Sequence, residues 1–102
     1  MSTIKTKQQI NRKIKQQKVS FSLEAAAAKE VILMGDFNKW DLKKHPMQTD
    51  GNGAWTTEVM LSPGKYEYKF LIDGDWREDP RNNQTCPNCF GTQNSVLDLT
   101  LT

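Results

Sequence analysis

Two tryptophans in this 102-residue chain end segments typical of a strand followed by a turn, where an indole can remain exposed. Trp40 closes the segment GDFNKW, which follows an apolar run at 31–34, and Trp76 closes the segment KYEYKFLIDGDW. An indole offers a large flat surface at small entropic cost, and a sugar ring offers an apolar C–H face. Lys69 and Asn94 could add hydrogen bonds to the hydroxyl groups of that sugar. The sequence therefore predicts a flat, exposed aromatic platform for carbohydrate.

A C-x-x-C segment at 86–89 is the second feature with possible chemistry. A structural zinc site needs four ligands, and Cys86, Cys89 and the single histidine, His45, do not complete one within one chain. A redox C-x-x-C normally opens a helix, whereas this one lies in a polar loop. A four-cysteine zinc site in a symmetric dimer, free thiols and a strained local disulfide remain open. Oxidation of this loop is a candidate modulator of sugar binding.

Four carboxylates crowd one turn region, but their pattern does not indicate catalysis. They fit no EF-hand spacing, and glycosidases need two carboxylates facing each other across a cleft. No Ser/His/Asp or Cys/His arrangement is evident either. We therefore predict a protein that is not an enzyme, with no catalytic residues, no metal and no cofactor. The four residues are Asp73, Asp75, Glu78 and Asp79.

The elements that would position these residues are predicted to be short strands, because apolar residues alternate with a period of two. Turn signals at 50–53, 62–64 and 73–75 separate the segments, and four alanines at 25–28 are expected to form a turn. Residues 79–91 are predicted to be a long polar loop, and 95–101 the last strand. Six or seven such strands describe an all-β antiparallel sandwich. The inward faces of three strands are predicted to hold Val19, Phe21 and Leu23; Trp55, Thr57, Val59 and Leu61; and Tyr66, Tyr68, Phe70 and Ile72.

Residues 1–17 differ from the rest of the chain in composition. Residues 1–18 hold six basic side chains and no acidic one, whereas acidic residues outnumber basic ones in the remainder. We predict a flexible or partly helical arm at 1–17 and a globular domain at 18–102. The arm lacks aromatics to interleave with bases, so nucleic-acid binding is not favoured. No apolar run is long enough to span a bilayer or to serve as a secretory signal, so no membrane partner and a cytoplasmic location are expected.

Three segments, GDFNKW, KYEYKFLIDGDW and FGTQNSVLDL, occur in an order and at spacings that resemble the family 48 carbohydrate-binding modules. The resemblance covers about residues 18 to 100. These modules are early-set, immunoglobulin-like domains found in the beta subunit of AMP-activated protein kinase. They also precede the catalytic domains of isoamylases and glycogen-branching enzymes. The resemblance implies an immunoglobulin-like β-sandwich that binds α-1,4-glucans such as glycogen or starch.

The resemblance also implies roles for individual residues. Trp40 and Trp76 match the two stacking tryptophans, and Lys69 matches the lysine that donates to sugar hydroxyls. Thr92 and Asn94 match the threonine and asparagine of the G-T-x-N motif. At the position of a leucine in the kinase modules this chain has instead Phe90. The alternative is a regulatory or protein-interaction module of glycogen metabolism, and in either case a glycogen-metabolising enzyme is a possible partner.

Overall fold

The computed structural model describes residues 16–100, and in this range eight β-strands form two antiparallel sheets. The predicted arm at 1–17 falls almost wholly outside the described residues, although Gln17 is the first residue of β1. No helix within 16–100 is long and apolar enough to cross a bilayer. A single turn of 3-10 helix, Asp36–Asn38, follows β2. The strands are β1 Gln17–Glu24, β2 Val31–Gly35, β3 Gln48–Thr49, β4 Ala54–Leu61, β5 Lys65–Ile72, β6 Asp75–Arg77, β7 Thr85–Pro87 and β8 Gln93–Asp98.

The two sheets differ in size and in strand order. β4 lies between β1 and β3 in a three-stranded sheet, and the order of the five-stranded sheet is β2-β5-β8-β7. β6 also pairs with β5, alongside the part of that strand that extends beyond β8. β6 and β8 therefore lie one after the other along the same edge of β5. The prediction of an all-β antiparallel sandwich is confirmed.

The core between the sheets is built from the inward faces that the alternation predicts. Phe21 packs edge-on against Tyr68, with ring centroids 5.1 Å apart, and Phe70 is fully buried. The prediction that Trp55 belongs to the core is confirmed, because this side chain is buried. Its indole Nε1 donates to the carbonyl of Ala25 at 3.1 Å, so it also fastens the alanine-rich turn. Burying each large apolar side chain contributes about 1.5–3 kcal/mol, so these residues hold the two sheets together.

The connection between β6 and β7 is fixed by side-chain hydrogen bonds. The hydroxyl of Tyr68 donates to Asp79 Oδ2 at 2.7 Å and accepts from Asn82 Nδ2 at 3.1 Å. Burial, reinforced by Asp79 as acceptor, raises the pKa of Tyr68 well above its usual value. The hydroxyl therefore keeps its proton, and this bond anchors the connection to β5.

Three features differ from the sequence prediction. The stretch at 79–91, predicted to be a loop, contains β7, and Asp75 begins β6 instead of completing a turn. Strands of three residues with exposed side chains show no alternation, so the sequence carries no signal for them. The last strand begins at Gln93 and ends at Asp98, earlier than the predicted 95–101. The additional strands matter because β6 carries Trp76 and β7 precedes the loop with Phe90.

Candidate functional site

The strand register brings several of the predicted site residues to the outer face of the five-stranded sheet. Trp76 lies opposite Leu71, and Val96 lies opposite Glu67. Residues directly opposite each other in antiparallel strands share a face, as do alternate residues of one strand. The side chains that point outward, away from the core, therefore include those of Lys69, Trp76 and Asn94.

Trp40 reaches the same face through an unusual backbone. Lys39 and Trp40 both have left-handed backbone angles, with φ of 56° and 57°, which bulky residues rarely adopt. The Trp40 backbone N–H donates to the carbonyl of Gly35 at 3.0 Å and to Asn38 Oδ1 at 3.1 Å. Its indole Nε1 donates to Asp36 Oδ1 at 3.0 Å. The indole N–H is thus occupied, and Trp40 offers a ring surface to a ligand.

Asp36 connects this tryptophan to the neighbouring strand. While Oδ1 accepts from the indole of Trp40, Oδ2 accepts from the backbone N–H of Glu67 at 2.9 Å. One carboxylate thereby fixes the ring of Trp40 relative to β5. A charge-assisted hydrogen bond of this kind is about twice as strong as a neutral one.

The two tryptophan rings lie together but do not share a plane. The ring centroids of Trp40 and Trp76 are 6.0 Å apart, and the planes are inclined at 64°. Trp76 is 52% exposed, whereas Trp40 is half-buried. The sequence predicted a flat platform, and the structure has an edge-to-face pair instead. The two rings form an angled surface.

These rings form one side of a pocket of about 840 Å³, which we call the tryptophan pocket. All six residues named from the sequence line it. Phe90 lies at its margin and is 84% exposed, so this ring is available for contact. The lining residues are Asp36, Trp40, Glu67, Lys69, Trp76, Glu78, Asn88, Cys89, Phe90, Thr92 and Asn94.

Lys69 differs from expectation in its exposure. The alternation correctly puts Lys69 on the outer face, but only 7% of this residue is exposed. The loop at 88–92 covers it, and its Nζ donates to Thr92 Oγ1 at 2.9 Å. An ammonium group carries three N–H donors. Lys69 lines the tryptophan pocket from beneath this loop, and its bond to Thr92 holds the ammonium group there.

Asn88 is a site residue that sequence reasoning missed. Its Nδ2 donates to Thr92 Oγ1 at 2.8 Å and to Asn94 Oδ1 at 2.9 Å. Its Oδ1 accepts from the backbone N–H groups of Phe90 at 2.9 Å and Thr92 at 3.2 Å. An asparagine that bonds to the backbone two residues ahead is a common turn signal, and it was available in the sequence. This side chain holds together the loop that presents Phe90 and Thr92.

Comparison with known proteins identifies the kind of domain that carries this pocket. The family described as the glycogen recognition site of AMP-activated protein kinase matches residues 6–101. The chain belongs to this family. Its family membership agrees with the resemblance found in the sequence.

Three relatives are similar to this glycogen-recognition domain over part of their own length. The chain is 37% identical over 73 residues to Protein FLOURY ENDOSPERM 6, chloroplastic, of Oryza sativa subsp. japonica, which is 72% of this chain and 13% of that protein. It is 43% identical over 54 residues to Protein PTST homolog 2, chloroplastic, of Arabidopsis thaliana, covering 53% and 10%. It is 35% identical over 71 residues to 5'-AMP-activated protein kinase subunit beta-1 of Sus scrofa, covering 70% and 55%. The matched region spans about an eighth or less of the plant relatives and about half of the kinase subunit.

The charged side chains that line the pocket of this glycogen-recognition domain are mostly acidic. Three carboxylates, of Asp36, Glu67 and Glu78, line the tryptophan pocket together with the ammonium of Lys69. Glu67 Oε1 accepts from Asn94 Nδ2 at 3.0 Å, which fixes the direction of the Asn94 amide. Carboxylates and amides are acceptors and donors suited to hydroxyl groups. The pocket therefore combines apolar ring surfaces with polar groups of both kinds.

Both cysteines are free thiols. Burial raises the pKa of Cys86, and hydrogen bonding to Glu67 raises it further, so this thiol stays protonated at neutral pH. Cys89 is exposed and lines the tryptophan pocket. Among residues 16–100, no group of three or more histidines, cysteines or carboxylates is arranged to hold a metal ion.

Proposed function

We propose that this domain binds α-1,4-glucan without catalysing a reaction, and that the tryptophan pocket is the binding site. One observation carries the proposal. Six residues that are far apart in the sequence line one pocket on the outer face of the five-stranded sheet. They are Trp40, Lys69, Trp76, Phe90, Thr92 and Asn94.

The angle between the two rings supports an α-linked glucan. An α-1,4-linked chain curves, so the faces of successive glucose units turn relative to one another. Trp40 and Trp76, inclined at 64° with centroids 6.0 Å apart, can therefore contact two such units. A flat glucan would present its faces in parallel and would contact only one ring fully. The angled pair favours a curved chain more than the flat platform would.

Polar groups around the rings would set the orientation of the sugar. Lys69 can donate to hydroxyls, while Asn94 and the carboxylates offer acceptors. If each stacked ring contributes about 1–3 kcal/mol, as an aromatic does for a stacked base, a short oligosaccharide binds with a Kd of about 10 μM to 1 mM. A polymer with many sites would bind more tightly through multivalency.

Co-sedimentation with glycogen, combined with maltoheptaose titration by calorimetry, tests the proposal. The double variant Trp40→Ala/Trp76→Ala is expected to remain in the supernatant and to show no heat of binding. Met60→Ala is the matched control, because Met60 is about as exposed as Trp76 and lies outside the pocket, on the three-stranded sheet. Undiminished co-sedimentation of the folded double variant would refute the role of the rings.

Three further expectations from the sequence belong with this proposal. We propose that the part of the predicted 1–17 arm that precedes β1 is separate from the domain, since Gln17 already pairs in β1, and that the domain acts beside a glucan-metabolising enzyme. A cytoplasmic location is the third, whereas two of the plant relatives are named as chloroplastic proteins. Fusing a fluorescent protein to the full chain and imaging it in its own cells tests the location.

A further inference from the structure

Asn38 is a buried polar side chain that supports Trp40 through the backbone. It is only 5% exposed, at the end of the 3-10 turn. Its Oδ1 accepts from the backbone N–H of Gly35 and from that of Trp40, each at 3.1 Å. Trp40 has a left-handed backbone that persists only when the surroundings hold it. The Asn38 carbonyl is one of the groups that hold it.

The orientation of the Asn38 amide follows from its partners. Because Oδ1 faces two N–H donors, the other side must be the NH2 group. This Nδ2 lies 3.0 Å from the carbonyl of Leu33 and 2.8 Å from His45 Nδ1. A flipped amide would turn the NH2 group toward two N–H donors and is therefore excluded.

The orientation of Asn38 determines the protonation of His45. Since Asn38 donates, His45 Nδ1 must accept, and a histidine nitrogen accepts only in the neutral ring. The ring proton of His45 is therefore on Nε2. In a charged imidazolium, Nδ1 would carry a hydrogen and would face the NH2 group of Asn38 at 2.8 Å. Two donors at this distance repel each other, so the ring or the amide would have to move.

The surroundings of His45 also favour the neutral ring. Burial lowers the pKa of His45 from its ordinary value of 6.5, and the neighbouring positive charge of Lys44 lowers it further. The ring of Phe37 packs edge-on against the imidazole of His45, with the ring centroids 6.1 Å apart. Both this ring and the amide of Asn38 are uncharged. Asp36, on the same 3-10 turn, directs its carboxylate to Trp40 and to the backbone of Glu67.

We propose that Asn38 and His45 are positioning residues for Trp40, and that protonation of His45 displaces Asn38, releases Trp40 and weakens glucan binding. The predicted effect on glucan binding rests on the proposed function. The coupling between His45 and Trp40 does not depend on which ligand binds. Because the folded protein holds the pKa of His45 below 6.5, binding has its full strength above that pH. It weakens as the pH falls through the folded value.

The first test needs no ligand. His45 is the single histidine in the sequence, so its ring signals in an NMR titration are unambiguous. We expect the Nε2–H tautomer, a midpoint below pH 6.5, and a change in the indole and amide resonances of Trp40 with the same midpoint. The core residue Trp55 provides an internal control and should not follow. An Nδ1–H tautomer, or a Trp40 resonance that ignores the histidine, overturns the proposal.

The second test is the Kd for maltoheptaose between about pH 7.5 and about pH 5, the range over which a histidine titrates. In the wild type we expect the Kd to rise at least about fivefold, the loss expected if one stacked ring is released. His45→Asn keeps an acceptor near the position of Nδ1 and does not titrate, so its own Kd should stay constant over this range. A constant Kd in the wild type, or an equal rise in His45→Asn, contradicts the inference.

Asn38→Asp tests the same coupling in the opposite direction, because it should stabilise the charged form of His45 instead of the neutral form. A carboxylate can still accept from Gly35 and Trp40, but its second oxygen faces His45 Nδ1 and favours the charged ring. We expect the pKa of His45 to rise above 6.5 in this variant. If the variant does not fold, His45→Asn still decides the question. Absence of maltoheptaose binding at the highest pH would refute the proposed function, whereas the ligand-free titration would still decide whether His45 controls Trp40.

Discussion

Replacing Asn88 with alanine is expected to weaken glucan binding much more than it weakens the fold. The substitution removes four hydrogen bonds, at 2.8 Å to 3.2 Å, that join Asn88 to Phe90, Thr92 and Asn94. Phe90 and Thr92 are exposed, and Asn94, although buried, lines the tryptophan pocket, so water can replace Asn88 and the free energy of unfolding should fall by about 1 kcal/mol or less. The loop would then have to become ordered when the sugar binds.

The cost of that ordering sets the size of the effect. Immobilising a side chain at an interface costs about 0.5–1.5 kcal/mol, so fixing two or three of them costs about 2 kcal/mol, which is about 30-fold in Kd. Calorimetry with maltoheptaose measures the Kd, and urea denaturation measures stability. Asn88→Asp should lie between wild type and Asn88→Ala, because it keeps the acceptor for the two backbone N–H groups and loses the donors.

The matched control is Asn83→Ala, an exposed asparagine outside the tryptophan pocket. It should change neither the Kd nor the urea midpoint. If Asn88→Ala bound maltoheptaose as tightly as wild type, the loop would not depend on this side chain. An equal loss in both variants would point to a general effect of asparagine removal.

Three further predictions concern stability and thiol reactivity. Trp55→Ala should lower the free energy of unfolding by about 3–5 kcal/mol in urea denaturation, because Trp55 is buried in the core; a loss under 1 kcal/mol would contradict the core assignment. Tyr68→Phe leaves Asp79 without its hydroxyl donor and should cost about 1–3 kcal/mol near neutral pH. Urea denaturation of wild type and Tyr68→Phe measures this cost, and an unchanged free energy of unfolding would contradict the anchoring role of the hydroxyl. Iodoacetamide should label Cys89 before Cys86, since burial raises the pKa of Cys86, and mass spectrometry of the peptides decides the order.

The long strands could be read from the sequence because each has one buried and one exposed face. Alternation around Phe21 predicted β1, and alternation around Phe70 predicted β5. β6 has no buried side chain to mark it, and β7 has only one that is partly buried. These strands form because they hydrogen-bond to neighbouring strands, and a segment of three residues contains no pattern that predicts such pairing. For the same reason the sequence did not predict that β6 pairs with β5, which is the pairing that positions Trp76.

Six residues that line the tryptophan pocket could be predicted from the sequence, but their geometry could not. Trp40 and Trp76 could be named from their segments. Their 64° angle depends on the left-handed backbone of Lys39 and Trp40, where no glycine in the sequence signals such a conformation. The outward direction of Lys69 follows from its strand, whereas its burial depends on a loop more than 15 residues further along the chain. Asn38 and Asn88 act through side-chain bonds to backbone groups. The bond from Asn88 to the backbone two residues ahead could have been expected from the sequence, whereas the contact of Asn38 with His45 depends on the fold.

The separation of the two sheets has a practical consequence. The described chain enters through β1 in the three-stranded sheet, while the tryptophan pocket lies on the outer face of the other sheet. A granule held by Trp40 and Trp76 would thus leave the opposite side of the sandwich uncovered. A reporter or an immobilising anchor attached at the exposed Met60 of β4 would lie on that uncovered side. Under the proposed function, the domain should therefore serve as a probe for α-glucan whose label faces away from the polymer surface.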